Sequence, residues 1–257
     1  SMTEAGWLNT RDLGDGIVEL QLGRAPVNAL SADFLMEFAA KIDEWGQDPA
    51  VSAIVLKSPF KGFSAGLDLK EAQEFDLEQQ HAIVRGLNEG FLALYSCPKP
   101  VVAAVGGAAI AGGLFFVLAS DGRIGHSRSA YGLAEVRVGA DFPIGPLEIA
   151  KATLDSNTQR RLMLTGQSIG PIAARNYGLV DIIAEDMEDL ENYALREAHK
   201  LAELPPQTFA SVKMQLRGEV IDRIKAGIAA GGNAPEGGWF NSETKAAMEK
   251  MISGRGE

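Results

Sequence analysis

The stretch Gly106-Gly-Ala-Ala-Ile-Ala-Gly-Gly113 constrains this chain more than any other. With only glycine, alanine and one isoleucine, it lets a backbone run against a neighbour or a ligand at a distance that bulkier side chains forbid. It follows Pro100–Val105, an apolar run that reads as a buried strand, and precedes Leu114–Ser120, which reads as a helix packed on all sides. A glycine-rich turn between strand and helix is where many folds cradle phosphate. Both standard phosphate motifs fail here. A dinucleotide fingerprint starting at Gly107 needs glycine where Ala109 stands, and a P-loop starting there meets Gly112 but then Gly113-Leu114 instead of Lys-Ser/Thr. Two readings stay open: close strand–helix packing, or main-chain amides at a helix N-terminus turned towards a developing negative charge.

The flanking pattern predicts an α/β core. Gly16–Leu22 alternates, with Val18, Leu20 and Leu22 on one face of a strand. Ser31 is a candidate N-cap, and Phe34, Phe38, Ile42 and Trp45 recur behind it at helical spacing. A strand at Val51–Leu56, the strand at Pro100–Val105, and a later strand at Leu179–Ile183 alternate with helices, the last of them an acid-capped helix from about Asp186 to Ala202. Pro205-Pro206 breaks the chain. Beyond it the pattern predicts a helix near Gln207–Arg217, a loose glycine-rich stretch, and an amphipathic segment over Phe240–Ile252. The expected division is a core over residues 1–203 and a C-terminal helical region over residues 204–257.

Charge and composition narrow the partners. The net charge of −10 argues against a nucleic-acid surface, and any anionic ligand has to rest on local lysines and backbone amides. His81, His126 and His199 are scattered and read as surface residues, and no Cys/His spacing or carboxylate loop suits a metal. One cysteine, Cys97, excludes an internal disulfide and fits a reducing compartment. No apolar run reaches the roughly 18 residues that a membrane span requires. The opening Ser1–Ala5 lacks a signal-peptide pattern, and Ser1 before Met2 reads as a tag remnant, so the expected location is the cytoplasm.

A second small-residue segment, Gly62-Phe-Ser-Ala-Gly-Leu-Asp-Leu-Lys-Glu71, follows the strand at Val51–Leu56. By itself it is either an ordinary strand-to-helix turn or a second set of presented N–H groups with Lys70 nearby. Taken with the first, and with Pro26-Val-Asn-Ala-Leu-Ser31, Tyr131-Gly-Leu-Ala-Glu-Val-Arg-Val-Gly139, Leu164-Thr-Gly166 and Gly178-Leu-Val-Asp181, it resembles the crotonase (enoyl-CoA hydratase/isomerase) superfamily. The six stretches stand in that family's order along nearly the whole chain.

The resemblance implies a spiral of β-β-α turns, ClpP-like, closed by a C-terminal helical region that makes subunit contacts in a homotrimer or a dimer of trimers. It implies an acyl-CoA thioester substrate, with coenzyme A as part of that substrate, and no separate cofactor. Carried over by position, the oxyanion-hole amides fall on Leu67 and Gly112, and the coenzyme lies along Ala65, Asp68, Leu69 and Lys70. Phe240 and Lys250 are the candidates near the adenine. Two departures matter. Family hydratases use two glutamates; the second falls on Glu135, but the first falls on Phe115, which transfers no proton. The hydratases' Pro-Gly-Ala-Gly-Gly run is also missing after Glu135, where this chain reads Gly139-Ala-Asp-Phe-Pro-Ile-Gly-Pro146. Both resemble the 3,2-enoyl-CoA isomerases, which work with one glutamate. Phe115 has two open roles, an aromatic wall that raises the Glu135 pKa or plain helix packing. The rival expectations are hydration, or other enolate chemistry such as hydrolysis or decarboxylation, with Asp141 as a second acid, and a catalytically silent acyl-CoA-binding protein.

Overall fold

The computed structural model describes residues 6–254, so the Ser1-Met2 start and the last three residues of the C-terminal region lie outside the described residues. Strands β1 (Leu8–Asp12) and β2 (Ile17–Leu22) form an antiparallel hairpin. Its turn uses Gly14 and Gly16, both at positive φ. The β1 strand carries no alternation strong enough to predict it. Ser31 does cap α1 (Ala32–Gln47): its Oγ accepts the Phe34 N–H at 3.1 Å, and Phe34, Phe38, Ile42 and Trp45 form the buried face. Strand β3 (Ala53–Lys57) follows, then a short α2 (Leu69–Ala72) and the long α3 (Leu77–Tyr95), which starts at an Asp76/Gln79 capping box.

The next two turns of chain repeat one plan. The chain gives β4 (Val101–Ala104), β5 (Ala108–Ile110) and α4 (Phe115–Leu118), then β6 (Gly122–His126), β7 (Ala130–Gly132), α5 (Ile144–Thr153) and α6 (Ser156–Gln159). It continues with β8 (Ser168–Ile169), α7 (Pro171–Asn176), β9 (Ile182–Ala184) and α8 (Met187–Ala202). The larger sheet has the order β1-β2-β3-β4-β6-β9, parallel except at β1, and the smaller one has the order β5-β7-β8. Isolated parallel bridges, Leu30 to Leu67 and Ser64 to Ala109, extend the small layer to earlier turns. Each turn therefore lays a strand in one layer and an extended segment in the other, which is the expected β-β-α spiral. Stacked turns bring residues 62–71 alongside residues 106–113.

The structure corrects several local expectations. The stretch Gly106–Gly113 is not all loop; it contains β5 and the start of a 3-10 turn, Ala111–Leu114. The late strand begins at Ile182, because Leu179 and Val180 are drawn into the core ahead of it. His126 is buried, with Nδ1 accepting the Arg128 N–H at 3.0 Å, rather than at the surface. The helix expected to stop near Arg217 runs on as α9 (Pro206–Gly227), since Val220, Ile221 and Ile224 continue its buried face. The last segment is helical only from Thr244, as α10 (Thr244–Gly254). Lys213 and Arg217 tie α9 to the core through Asp121, at 2.8 and 2.9 Å. Among the described residues no helix is long and apolar enough to cross a membrane.

Candidate active site

The two small-residue segments are sewn together by backbone. Phe63 and Ser64 both donate to the Ala108 carbonyl, at 2.9 and 3.1 Å, and Ile110 donates to the Ser64 carbonyl at 3.0 Å. The glycines follow from that proximity. A Cβ on Gly107 would stand 1.9 Å from the Lys61 carbonyl oxygen, and one on Gly113 would stand 2.4 Å from that of Ser64. Close packing is thus one purpose of the 106–113 stretch. Asn28 pins the first segment from the other side: its buried Nδ2 donates to Phe63 O and Ser58 Oγ, and its own carbonyl accepts the Ser64 hydroxyl at 2.8 Å.

The same stretch also presents amides. Gly112 lies in the first turn of its 3-10 helix, where an N–H has no partner within the helix. Ala111 before it sits at φ 53°, a left-handed conformation that costs a residue with a side chain about 1–2 kcal/mol. On the facing segment Gly66 takes φ 78°, and its carbonyl accepts the Leu30 N–H at 2.8 Å. In that parallel pairing the Leu67 N–H points to the opposite side. Among the described residues neither the Leu67 nor the Gly112 N–H has an acceptor, and both residues line one cavity of about 90 Å³.

Glu135 lines the same cavity and is, among the described residues, its one ionisable side chain. It rides on a 3-10 turn, Ala134–Val138, that ends at Gly139 in the left-handed conformation. The residue is 7% exposed, and its Oε1 has no hydrogen-bond partner among the described residues. Burial raises the carboxyl pKa to about 8, opposed only by a hydrogen bond from its own backbone N–H. Phe115 is fully buried on the cavity wall, 5.6 Å from Phe91 and 6.4 Å edge-on from Phe142 between ring centroids. It packs α4 and lines the cavity that Glu135 also lines.

The other sequence candidates divide. Ala65 and Leu69 line the cavity. Asp68 caps α2, its carboxylate accepting the Lys70 and Glu71 N–H groups at 3.1 and 3.4 Å, and Lys70 is exposed. Phe240 stacks on Phe75 at 6.3 Å and within 2° of parallel, so its ring is engaged inside this chain. Lys250 is exposed and does not line the cavity. Asp141 is exposed too, and its carbonyl, not its carboxylate, is engaged, by the Trp239 indole. Trp239, Met248 and Met251 line the cavity and carry no sequence signal, because only tertiary folding returns the C-terminus to Glu135. A proton-transferring group beside two free amides can move a proton next to a carbonyl while holding the charge that forms on its oxygen.

Comparisons with known proteins bear on the family and the fold. A Mycobacterium tuberculosis protein described as (7aS)-7a-methyl-1,5-dioxo-2,3,5,6,7,7a-hexahydro-1H-indene-carboxyl-CoA hydrolase is 29% identical over 82% of this chain and 84% of its own length. A probable enoyl-CoA hydratase of Bacillus subtilis is 29% identical over 76% of each chain. The apo structure of a Mycobacterium tuberculosis enoyl-CoA isomerase superposes with a TM-score of 0.79 at 30% identity, covering 88% of this chain and 99% of that one. Three named reactions share one framework, and the enoyl-CoA hydratase/isomerase family matches residues 12–234. With its spiral fold and that match across most of its length, the chain belongs to the enoyl-CoA hydratase/isomerase family.

Proposed function

We propose that the protein isomerises a 3-enoyl-CoA thioester to the conjugated 2-enoyl-CoA, with Glu135 as the single proton carrier. The carboxylate removes a proton from C2, and the C–H electrons delocalise onto the thioester oxygen as a dienolate. The N–H groups of Leu67 and Gly112 hold that oxygen, and losing one such donor typically costs about 2.7–4 kcal/mol of transition-state stabilisation. The dienolate then takes the same proton back at C4, leaving the double bond between C2 and C3. No oxidant, reductant or water is consumed. The coenzyme lies along Ala65–Lys70, with Lys70 as a cation for its phosphates.

One observation carries this reading: a buried carboxyl with one unpaired oxygen shares its cavity with Phe115 and, among the described residues, with no second acid. Hydration needs one group to activate water and another to protonate carbon, whereas isomerisation needs one group that returns what it takes. A pKa near 8 suits a group that must both accept and donate at neutral pH. The neighbour at 30% identity is described as an isomerase in one structure and as a probable enoyl-CoA hydratase in another, so the choice rests on the cavity. The test is to supply 3-enoyl-CoA and 2-enoyl-CoA separately and follow conjugated thioester absorbance. Growth of absorbance with the first and little loss with the second is expected. Loss with 2-enoyl-CoA as fast as the gain with 3-enoyl-CoA would make it a hydratase, and binding without turnover of either would make it a silent acyl-CoA carrier.

A further inference from the structure

A 3-10 turn of five residues is a weak platform for a group that must keep one oxygen aimed at a substrate carbon, since its hydrogen-bond geometry is poorer than that of an α-helix. At the end of the turn carrying Glu135, the Gly139 N–H reaches both Glu135 O and Val136 O, the latter at 3.3 Å, and the Ala140 N–H donates to Glu135 O at 3.1 Å. The rest of its fixing comes from far along the chain. Thr244 Oγ1 donates to the Gly139 carbonyl at 2.7 Å, and Asn241 Nδ2 donates to the same oxygen at 3.1 Å. Trp239 Nε1 donates to the Asp141 carbonyl at 2.8 Å. Three side chains within residues 239–244 thus take the carbonyls by which the turn leaves for α5.

Thr244 is the inner of the three. It is 1% exposed, its hydroxyl also accepts the Asn241 N–H at 3.0 Å, and a Cβ on Gly139 would stand 3.1 Å from its Cα. It opens α10, whose Met248 and Met251, four and seven residues on and hence on the same helix face, line the cavity. One docking event therefore both grips the turn and walls the cavity.

We propose that Thr244 is a positioning residue: through the Gly139 carbonyl it fixes the turn that aims the free Glu135 oxygen, and α10 behind it keeps bulk water from that oxygen. The proposal rests on Glu135 as the proton carrier. Among the described residues none of the charged groups on the surrounding elements lines the cavity: Arg137 on the turn itself, Asp141 just beyond it, Arg160 and Arg161, Lys70 and Glu71 on α2, and Glu243, Lys245, Glu249 and Lys250 on or just before α10 are exposed, while Glu148 on α5 is buried and paired with Arg223 at 3.1 Å. Water access, not a neighbouring charge, is then what a loosened turn changes.

The test compares Thr244→Val, which keeps the shape and loses the donor, with Thr244→Ser, which keeps the donor. Thr244→Val is expected to lower kcat on 3-enoyl-CoA by roughly 10- to 100-fold with little change in KM, the scale of a small misplacement of a catalytic group. The titration of the Glu135 carboxyl, read as the infrared difference between each protein and its Glu135→Gln counterpart, is expected to move down from its midpoint of about 8 as water reaches the group. Thr244→Ser should restore both. A midpoint in Thr244→Val that stays at the parent's value overturns the proposal, whatever happens to kcat or to the melting temperature. If Thr244→Val does not fold, Asn241→Ala removes the second donor to the same carbonyl from an exposed residue, and the same midpoint decides. Because the infrared titration needs no turnover, a parent that fails to isomerise while Thr244→Val still shifts the midpoint refutes the assigned reaction and leaves the positioning role standing.

Discussion

Asp121 and Glu135 are both carboxylates withdrawn from water, and the structure treats them in opposite ways. The Asp121 side chain, 11% exposed, meets Lys213 at 2.8 Å and Arg217 at 2.9 Å and also accepts the Val101 N–H at 2.8 Å. Glu135, 7% exposed, meets its own backbone N–H and an apolar cavity, with one oxygen left without a partner. Burial by itself separates nothing here. The difference lies in what faces the buried group: cations make Asp121 a joint between α9 and the core, and an unpaired oxygen on the cavity wall makes Glu135 the candidate reagent. Buried polar groups are ordinarily satisfied, so an exception on a cavity wall is a mark of function.

Three substitutions, read out in four ways, test that contrast. The largest effect belongs to Glu135→Gln, which keeps shape and loses basicity. Turnover of 3-enoyl-CoA should fall about 10²- to 10⁴-fold, the usual contribution of a positioned base, while acyl-CoA binding by calorimetry stays close to that of the parent. A variant within a few-fold of the parent would remove Glu135 from the chemistry. Next comes Asp121→Asn, which leaves Lys213 and Arg217 buried against a neutral partner. Breaking such a pair costs about 3–5 kcal/mol, to be measured by denaturant unfolding. A loss below about 1 kcal/mol, the worth of a surface pair, would erase the distinction between the two carboxylates.

The third effect is on stability and has the opposite sign. The folded carboxyl of Glu135 titrates at about 8, against 4.5 when unfolded, so its folded pKa is raised. Below pH 4.5 it is protonated in both states and imposes no penalty. As the pH rises from there the unfolded chain releases its proton first, and the parent loses stability until the folded group also ionises near pH 8. Glu135→Gln lacks this loss, so it should match the parent in acid and exceed it by a few kcal/mol near pH 8, since each tenfold change in proton affinity is worth about 1.4 kcal/mol. Thermal melts of the two proteins that run parallel across that range would contradict the burial argument.

Phe115→Glu should have the smallest effect. It places a second carboxyl in the cavity and should raise hydration of 2-enoyl-CoA above the parent's, expected to be slow or absent, measured as loss of conjugated absorbance. The gain is limited because catalytic groups must sit within roughly 0.5 Å of their working position and the surroundings of Phe115 are shaped for a ring. A parent that already hydrates 2-enoyl-CoA as fast as it isomerises would show that Phe115 is no barrier.

Much of the fold is legible in the chain. The Ser31 cap, the periodic Phe34, Phe38, Ile42 and Trp45, and the apolar strands over residues 51–56 and 100–105 all lead to elements that form, because each depends on neighbours within a few residues. The order of the glycine-bearing stretches identifies the family. The features that escaped the sequence depend on distant partners. β1 is visible only beside β2, the last turns of α9 are held by α5 and the core, and Leu179 and Val180 are buried ahead of the strand they were expected to begin.

For the candidate site, the sequence by itself determined that small residues stand within 62–71 and 106–113 and that Glu135 follows them, and the family resemblance added that Phe115 falls where hydratases carry a glutamate. Chain chemistry suffices for that, since the size of a residue and the presence of an ionisable group are read directly from its type. The tertiary structure alone decided which groups meet. It brought Trp239, Thr244 and Met248 back over the Glu135 turn, engaged Phe240 with Phe75, and left one Glu135 oxygen unpaired. Desolvation and aim are properties of everything packed around a group, and no spacing along the chain encodes them.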